Sequence, residues 1–414
     1  MAGPRVLVLG AGVAGLSAAL PLLRAGCAVT VLDPLGPAGG ASFGNAGLLS
    51  ADTAVPIALP GMLRKVPSWL ADPLGPLVVR PGYLPRAAPW LLRWVAAGRM
   101  DRVHAISDAM RALHAPAFED WRGLLGPENY AELVRRKGQV QIWDEPEETP
   151  SAALERGLRE RLGIQAEVLG ADELRQIFPG IARHVLRGVL VPGNGQTVSP
   201  PRIVRRLADL VLAEGGAILP ERAMKLIPRE GGGWLVMTNT DNHRAEHVVV
   251  AGGAWSRSLL DPLGLRVPLE TERGYHLMLP APSLMPSLPI LYKSRNFGVT
   301  PMAEGLRVAG TVEIAGLEAA PDERRAQQLL GQLRGLFPGI EAGEPRLWMG
   351  FRPSTPDSLP VLGPVPGRPG LHCCFGHGHF GMTGGPPSGR LVAGMILGKP
   401  APIDTAPYSI TRFR

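Results

Sequence analysis

Cysteine, aromatic residues and long apolar stretches are all scarce in this sequence. Its 414 residues include three cysteines, and aromatic side chains make up 5% of the chain. Three cysteines are too few for a disulfide framework, which favours a reducing, cytoplasmic environment. Every apolar run is interrupted before it reaches the roughly 20 residues that a membrane-spanning helix needs. The sequence therefore predicts neither a disulfide-rich secreted domain nor an integral membrane protein.

The charge balance is mildly basic and gives no sign of a nucleic-acid partner. Lysine and arginine total 43 against 36 acidic residues, for a net charge of +7 at pH 7. These cations form no long run and are not interleaved with aromatic residues, as they are on many nucleic-acid-binding surfaces. A hydrophobic fraction of 45% supports a folded core, and the length allows two or three domains.

The first fifty residues contain a glycine motif in the context that a dinucleotide-binding fold requires. Arg5–Leu9 is predicted to form a buried parallel strand, Leu16–Ala25 a helix, and Cys27–Leu32 a second strand. The sequence GAGVAG at residues 10–15 separates the first strand from the helix, and its glycines allow a tight turn beside a pyrophosphate. Asp33 ends the second strand, where a carboxylate can accept hydrogen bonds from ribose hydroxyls.

This motif predicts a bound dinucleotide without deciding between FAD and NAD. The carboxylate of Asp33 disfavours NADP, whose ribose carries a phosphate. A second glycine-rich segment, residues 39–47, follows where a nicotinamide-dependent dehydrogenase would resume its alternation of strands and helices. Its small and amide side chains let the chain run beside a second flat group, which favours FAD. An ordinary surface loop is the alternative for this segment taken alone.

Two further clusters of small residues follow predicted strands. Strand His247–Ala251 leads into the sequence GGAWS at 252–256, and strand Leu371–Phe375 leads into GHGHFGMTGG at 376–385. A helix is predicted from about Pro387 to Leu397, because proline is favoured in the first turn. The N-terminus of a helix at this place would stabilise negative charge on a reduced cofactor.

The middle of the chain is predicted to form helices and the alternating strands of an antiparallel sheet. An amphipathic helix around Trp90 is flanked by Arg86, Arg93 and Arg99, and it is expected either to lie on a membrane surface or to cover a substrate domain. The other elements expected here are strands over 138–143, 188–191, 268–280 and 306–315, and helices over 103–125, 171–178, 200–214 and 321–336.

In combination, these motifs resemble the D-amino-acid oxidase and dehydrogenase superfamily of FAD flavoproteins, and most closely the bacterial D-amino acid dehydrogenases. The resemblance covers essentially the whole chain and is specific for the superfamily rather than for a substrate. The segments that carry it are GAGVAG at 10–15 with Asp33, SFGNAG at 42–47, VAGGAWS at 250–256, RGY at 273–275, GFRPSTPD at 350–357 and GHGHFG at 376–381.

The resemblance implies that these motifs bind FAD. Gly44 and Gly350 stand where some relatives attach the flavin covalently through His or Cys, so non-covalent FAD is expected. The residues expected to contact FAD are Gly10, Gly12, Val13, Ala14, Gly15, Asp33, Ser42, Asn45, Ala46, Gly47, Leu48, Met224, Ala251, Gly252, Gly253, Trp255, Gly378, His379, Phe380, Gly381, Met382 and Thr383.

The resemblance also implies a substrate site. Arg352 matches the arginine with which the family binds the substrate carboxylate, a task that suits the bidentate fork of a guanidinium; a structural ion pair is the alternative. Tyr275 matches an aromatic residue of the pocket, with core packing as its alternative. His377 and His379 are expected at the same pocket, where His379 replaces a smaller residue common in relatives. The spacing of the histidines fits no common zinc pattern, so no metal is expected.

The fold predicted from the motifs and the resemblance is a two-domain α/β flavoprotein. A Rossmann-like FAD-binding domain is expected from residues 1–55, 188–265 and 345–414. A mostly antiparallel α+β substrate domain is expected from the inserted residues 56–187 and 266–344.

The expected activity is oxidative deamination of an amino acid, with a D-amino acid expected, through hydride transfer from Cα to flavin N5. Electrons are expected to pass to a quinone or respiratory acceptor, with dioxygen as the alternative, and the protein is expected in the cytoplasm or peripherally at the inner membrane. No catalytic base is assigned, because orientation and the cofactor carry the chemistry. The alternatives are a sarcosine- or glycine-oxidase-like amine oxidase, a D-hydroxyproline dehydrogenase, an NAD-dependent dehydrogenase and a non-catalytic FAD-binding subunit.

Overall fold

A computed structural model describes residues 3–61 and 74–413 of the chain. Residues 62–73, within the predicted substrate segment 56–187, lie outside the described range. The helices, in chain order, are α1 (Val13–Arg24), α2 (Leu84–Ala97), α3 (Met100–His114), α4 (Ala117–Leu133), α5 (Pro150–Arg161), α6 (Ala171–Ile177), α7 (Pro200–Ala213), α8 (Ser256–Leu260), α9 (Arg324–Leu336) and α10 (Gly381–Ile396).

The strands follow the apolar and alternating patterns of the sequence, and the predicted strand Arg5–Leu9 is confirmed. In chain order they are β1 (Arg5–Leu9), β2 (Ala28–Leu32), β3 (Leu48–Leu49), β4 (Leu77–Val79), β5 (Val134–Arg135), β6 (Gln139–Trp143), β7 (Glu167–Gly170), β8 (Arg187–Val191), β9 (Gly195–Thr197), β10 (Ala217–Leu219), β11 (Ala223–Pro228), β12 (Trp234–Thr238), β13 (Asn242–Ala245), β14 (His247–Val250), β15 (Glu270–Leu279), β16 (Ile290–Tyr292), β17 (Phe297–Met302), β18 (Gly305–Ile314), β19 (Arg346–Ser354), β20 (Val361–Pro364) and β21 (Leu371–Phe375).

A six-stranded sheet carries the glycine motif at the carboxyl end of β1, one of its central strands. Its strands lie in the order β10-β2-β1-β14-β21-β20, and all neighbours are parallel except β20 and β21. Val6 and Val8 pack into a core with helices α1, α7 and α10, whereas Leu7 and Leu9 pack with Trp234 and the three-stranded sheet β11-β12-β13. Both faces are thus covered, which explains why these strands are apolar at nearly every position.

A larger, mostly antiparallel sheet lies next to the first. Its strands follow the order β19-β15-β18-β17-β16-β6-β8-β7, with β4 paired to β18. Leu277 and Val308 on one face pack against Leu329 and Leu333 of helix α9. Because side chains alternate along a strand, even-numbered residues of β15, such as Gly274, point to the opposite face.

The predicted division assigns residues 1–55, 188–265 and 345–414 to the FAD-binding domain and residues 56–187 and 266–344 to the substrate domain, and it stays a prediction. All strands of the six-stranded sheet lie in the three segments expected to bind FAD. Strands β8 (Arg187–Val191) and β19 (Arg346–Ser354), however, pair within the larger sheet. These two strands therefore belong with the strands of the predicted substrate domain rather than with those of the FAD-binding domain.

One helix prediction in the middle of the chain needs correction. The single helix expected over 103–125 is two helices, α3 and α4, which meet at Pro116. Gly126, with a φ of 76°, further interrupts α4. Proline lacks the N–H that would continue a helix from the preceding turn, so the break is explained locally. Ser199 caps α7, because its Oγ accepts the N–H of Arg202 at 3.4 Å.

The C-terminal helix starts earlier than predicted. Helix α10 begins at Gly381 rather than near Pro387, and Pro386 and Pro387 lie in its second turn. Pro386 has no N–H to give to the carbonyl of Met382, four residues earlier. The indole N–H of Trp121, from α4, donates to that carbonyl at 2.9 Å instead. A donor distant in the sequence thus permits a helix that the local sequence disfavours.

Helix α2 is amphipathic, as predicted, but its tryptophans face inward. Trp90 and Trp94 are 6% and 4% exposed, and the indole N–H of Trp90 donates to the carbonyl of Ser354 at 3.2 Å. The ring of Trp90 is buried, so contact of this helix with a membrane surface, which stays a prediction, would have to use its exposed residues. Within residues 3–61 and 74–413, no helix is both long and apolar enough to cross a membrane.

Helices α1 and α10 touch without an intervening side chain, and this contact leads to a stability prediction. A Cβ on Gly389 would lie 2.3 Å from the carbonyl carbon of Ser17 in α1. We expect Gly389→Ala to force the helices apart and to lower the free energy of unfolding by about 1–3 kcal/mol. The change is measurable as a lower midpoint of thermal unfolding, followed by circular dichroism.

Gly394→Ala is the matched control in the same helix. A Cβ on Gly394 would have Lys399 Cβ as its nearest neighbour, at 3.9 Å. Alanine is the better helix former by about 1 kcal/mol, so this variant should unfold at the wild-type temperature or above it. Equal midpoints for the two variants would contradict the close packing.

Candidate active site

A cavity of about 1250 Å³ lies between the carboxyl edge of the six-stranded sheet and one face of the larger sheet. The ends of β1, β2, β14 and β21 border it through Gly10, Asp33, Ala251 and Gly376. Crevices outside the carboxyl ends of the strands are the usual ligand sites of open α/β sheets. The volume exceeds the roughly 300–1,000 Å³ of ordinary small-molecule pockets, so a dinucleotide and a substrate can share the cavity.

The glycine turn at residues 10–15 brings the N-terminus of α1 to this cavity. Gly10 has a φ of 125°, and a Cβ on it would lie 2.4 Å from the carbonyl oxygen of Ala251. A Cβ on Gly15 would lie 2.0 Å from the carbonyl oxygen of Gly10, so α1 can pack against the turn only with glycine there. Oγ of Ser42 accepts the N–H of Val13 at 3.1 Å and so binds the second glycine segment to the helix start.

Asp33 occupies the place expected for a ribose-binding carboxylate. It borders the cavity, and its two oxygens accept the N–H groups of Ala11 at 2.8 Å and Leu35 at 2.9 Å. Burial raises the pKa of Asp33, while these backbone hydrogen bonds act to lower it. A carboxylate has about four acceptor sites, so Asp33 retains capacity for ribose hydroxyls.

The second glycine segment, residues 39–47, is fixed to the larger sheet by side chains that the sequence did not single out. Nη1 of Arg307, on β18, donates to the carbonyls of Phe43 at 3.2 Å and Asn45 at 2.5 Å. Nδ1 of His276, on β15, donates to the carbonyl of Gly44 at 3.1 Å. Burial lowers the pKa of His276 to about 3, with a smaller contribution from Arg307. The imidazole is therefore neutral near pH 7, which leaves Nδ1 to carry the proton.

The indole of Trp348 fills the space beside Gly44 and Gly350. A Cβ on Gly44 would lie 1.9 Å from Cζ3 of this indole, and a Cβ on Gly350 would lie 2.0 Å from its Cη2. The ring of His276 stacks on the indole with centroids 4.9 Å apart and an angle of 19° between planes. Neither glycine can take a side chain while Trp348 holds this position.

The C-terminal motif forms the opposite part of the cofactor wall. A short turn at Gly378–Phe380 leads into α10, and both border the cavity. Oγ1 of Thr383 accepts the N–H of Ser50 at 2.9 Å, which ties α10 to the chain that follows residue 47. The free N–H groups and the positive dipole end of α10 are available to stabilise negative charge on a ligand.

Nearly all residues predicted to contact the cofactor line the cavity; Gly15 and Gly47 do not. Gly15 supports the turn from behind. Gly47 has a φ of 75°, and a Cβ on it would lie 2.8 Å from Cε of Met302, so its place is in the backbone turn. Met224, on β11, borders the cavity with 57% of its surface exposed and so lies at the rim.

Arg352 lies on β19 with its guanidinium over the neighbouring strand. A Cβ on Gly274 would lie 2.2 Å from Cζ of Arg352, so this glycine makes room for the charged group. Nη1 donates to the carbonyl of Thr311 at 3.3 Å. Thr311 is the extra residue of a bulge between β15 and β18 and has a φ of 59°. Within the described parts of the chain, no carboxylate forms an ion pair with Arg352. Burial lowers the pKa of Arg352, and Glu272 acts in the opposite direction.

Tyr275 borders the cavity, but its hydroxyl is engaged elsewhere. The O–H donates to Oε2 of Glu313 at 2.6 Å and accepts the N–H of Asp322 at 3.0 Å. Tyr275 is on the opposite side of β15 from Gly274, towards α9. These contacts favour core packing over a substrate contact by the hydroxyl.

The two predicted pocket histidines differ in their partners. Nε2 of His377 contacts Oγ of Ser388 at 2.9 Å, and burial lowers the pKa of His377 to about 3, so this imidazole is neutral. Nε2 of His379 contacts Oε2 of Glu272 at 2.5 Å. Sequence reasoning missed Glu272, although its place two residues before Gly274 on a strand indicates the same face.

The lining fits a dinucleotide such as FAD. The cavity wall combines backbone of small residues, at 10–14 and 251–253, with the N-termini of α1 and α10 and the carboxylate of Asp33. Such backbone suits pyrophosphate and a flat ring system, because no side chains keep the ligand away. In the described residues, no group of three or more His, Cys, Asp or Glu is arranged to hold a metal ion.

Comparisons with known proteins give the chain a family. It matches the family described as FAD dependent oxidoreductase (DAO) over residues 5–395. It is 39% identical to a D-amino-acid oxidase of Bradyrhizobium diazoefficiens, over 99% of both chains. It is 32% identical to a D-amino acid dehydrogenase of Xylella fastidiosa, over 99% of this chain and 95% of that protein.

Solved structures show the same fold at lower sequence identity. An L-proline dehydrogenase from P. horikoshii is similar with a TM-score of 0.75 and 17% identity, over 99% of this chain and 98% of that one. A glycine oxidase from Geobacillus kaustophilus has a TM-score of 0.72 and 23% identity, over 99% of both chains. The resemblance, the α/β flavoprotein fold and the dependence on FAD that the motifs predicted are confirmed. The chain belongs to the DAO family of FAD-dependent oxidoreductases.

Proposed function

We propose that this enzyme oxidatively deaminates a D-amino acid to the 2-oxo acid and ammonia, and passes the electrons to a quinone or another respiratory acceptor. The observation that carries the proposal is the guanidinium of Arg352, which borders the cofactor cavity and, among the described residues, is within ion-pair distance of no carboxylate. The charge of Glu272 acts on Arg352, but Oε2 of Glu272 is engaged by His379, and a desolvated guanidinium without a directly bound carboxylate is costly. An anionic ligand is therefore expected there, and a carboxylate matches the guanidinium fork.

The relatives support an amino acid, and a D-amino acid in particular, as the substrate. Proteins named D-amino-acid oxidase and D-amino acid dehydrogenase match this chain over 99% of its length. A cavity that holds FAD beside a carboxylate-binding arginine has the parts that such a reaction needs.

The residues around the substrate bind and orient it. Bound FAD supplies the acceptor for the hydride that leaves the substrate Cα. Arg352 holds the carboxylate, while Gly274 and the carbonyl of Thr311 fix the guanidinium. A carboxylate held at two points leaves the Cα–H bond with few orientations, which lowers the entropic cost of reaching the reactive geometry.

The proposed role of Arg352 predicts a loss of substrate affinity on its removal. Anaerobic addition of D-amino acids should bleach the visible flavin absorbance of the wild-type enzyme. In Arg352→Ala, the amino-acid concentration for half-maximal bleaching should rise about 10- to 100-fold, because charge-assisted hydrogen bonds of about 1.5–3 kcal/mol are lost.

Two further variants make this measurement specific. Arg352→Lys keeps the charge but loses the fork, so it should fall between wild type and alanine. Arg93→Ala removes an exposed arginine of α2 and should leave the titration unchanged. An unaltered half-maximal concentration in Arg352→Ala would contradict the carboxylate site. Bleaching by sarcosine, glycine or D-hydroxyproline alone would indicate an amine oxidase or D-hydroxyproline dehydrogenase instead.

Non-covalent attachment of FAD is part of the proposal. The indole of Trp348 occupies the space in which a side chain at position 44 or 350 would have to lie. Acid precipitation of the purified holoenzyme should therefore release all flavin into the supernatant, measured by its absorbance near the visible flavin bands. Flavin that stays with the pellet after washing would contradict this expectation and indicate a covalent bond elsewhere.

The electron acceptor requires its own test. With a D-amino acid and an artificial dye acceptor, we expect steady turnover in the absence of dioxygen, and little hydrogen peroxide in its presence. Turnover that stops without dioxygen despite the dye would indicate an oxidase. Peripheral membrane contact stays a prediction. With Trp90 buried, the α2 residues left to make such a contact are exposed ones, such as Leu92 beside Arg93.

A further inference from the structure

Glu272, which is buried, and His379, which is half-buried, form a close pair in the cavity beside Arg352. Their atoms Oε2 and Nε2 are 2.5 Å apart, and the two side chains are 7% and 30% exposed. Both residues line the cavity. In the pairing of β15 with β19, Glu272 stands directly opposite Arg352. A carboxylate–imidazole pair and a guanidinium thus occupy the same face of two adjacent strands.

The charge state of the pair follows from its surroundings. Burial acts to raise the pKa of Glu272, but His379 and Arg352 outweigh it and hold the pKa of this carboxyl below its ordinary value. An ionised Glu272 only accepts hydrogen bonds, so the short contact places a proton on Nε2 of His379. When the imidazole is neutral, its lone pair is on Nδ1. No residue that the structure describes hydrogen-bonds Nδ1.

This arrangement matches the charges of an amino acid. A zwitterion carries its ammonium one carbon away from its carboxylate, so a carboxylate bound at Arg352 brings the ammonium near the facing strand. A buried negative group there compensates the positive ammonium, as a guanidinium compensates the carboxylate. The ammonium has to lose a proton before Cα–H cleavage, because the nitrogen lone pair drives the departure of hydride.

We infer that the Glu272–His379 pair is the site of the substrate ammonium, and that Nδ1 of His379 accepts its proton. The inference rests on the proposed amino-acid oxidation and assigns the base which that proposal lacks. The N–H bond of the ammonium breaks, its electron pair stays on nitrogen, and an N–H bond forms at Nδ1. The imidazolium that results is stabilised by the Glu272 carboxylate, so Glu272 is a positioning residue and His379 the catalytic one.

Other charged groups near the pair are few. Arg352 faces it from β19, and Glu270, two residues before Glu272, has its pKa raised mainly by burial and is hydrogen-bonded by the hydroxyl of Tyr83 at 3.2 Å. His377 and His114 lie on the α10 side, and burial lowers their pKa values to about 3 and about 4. Both are therefore neutral near pH 7.

The test compares the pH dependence of flavin reduction in holoenzyme variants. Anaerobic stopped-flow with a D-amino acid gives the reduction rate from the loss of flavin absorbance. Near pH 7 we expect His379→Gln to be about 100-fold slower than wild type, within the usual range for a general base, and Glu272→Gln to be slower by less. In both variants the rate should approach that of wild type at alkaline pH, because free amine then needs no base.

Binding of a carboxylate without an amine provides a readout that does not depend on turnover. Propionate should perturb the flavin spectrum of Glu272→Gln and His379→Gln with wild-type or tighter affinity, since no ammonium is present and a negative charge is removed in the first. Arg352→Ala should bind propionate more weakly. Weaker propionate binding in Glu272→Gln would show that the variant disturbs the carboxylate site and would overturn the inference.

Glu221→Gln is the matched control. Glu221 contacts Nε2 of His243 at 2.8 Å in the same kind of pair, outside the cavity. It should change neither the rate nor its pH dependence. The inference is overturned if the His379 variant keeps the wild-type pH profile, if its rate stays low at alkaline pH, or if only substrates with basic side chains are affected. Failure of every amino acid to reduce wild-type flavin would instead refute the proposed function, and the inference with it.

Discussion

The close contact between helices α1 and α10 is the constraint on which the cofactor side of the molecule depends. Gly389 leaves no side chain between α10 and the backbone of Ser17, so both helices run side by side away from the cavity. Their first residues, Val13 and Gly381, therefore border the same ligand space. One helix dipole is then available for phosphate and the other for charge on the reactive ring. The indole of Trp121 contributes by satisfying a carbonyl that the α10 prolines leave without a donor.

The larger sheet supplies the opposite kind of surface. Where the cofactor wall is mostly backbone, the face of β15 and β19 carries charged side chains, Glu272 and Arg352, set opposite each other by strand pairing. The bulge at Thr311 turns a carbonyl towards Arg352 and so fixes the guanidinium without neutralising it. The cofactor surface recognises shape and dipole, whereas the substrate surface recognises charge. The cofactor surface and the substrate surface face each other because the cavity lies between the two sheets.

The cofactor half of the site could be predicted from the sequence because its signals are local. The glycines of residues 10–15, Asp33 and the flanking strand and helix follow each other within one supersecondary unit. Glu272 and Trp348 were missed, since their neighbours are set by the register of distant strands. The start of α10 was misplaced for a related reason: the donor from Trp121 is distant in sequence, and local proline rules do not include it. The Thr311 bulge is likewise a property of paired strands.

The position of Trp348 limits the routes by which this sequence can change. An alanine, cysteine or histidine introduced at Gly44 or Gly350 would clash with the indole, because its Cβ would lie 1.9 or 2.0 Å from the nearest ring carbon. A lineage that acquired a flavin-linking side chain at either glycine would first have to replace or displace the tryptophan. The effect of a substitution at Gly44 or Gly350 thus depends on which residue occupies position 348, and the three positions are epistatically coupled.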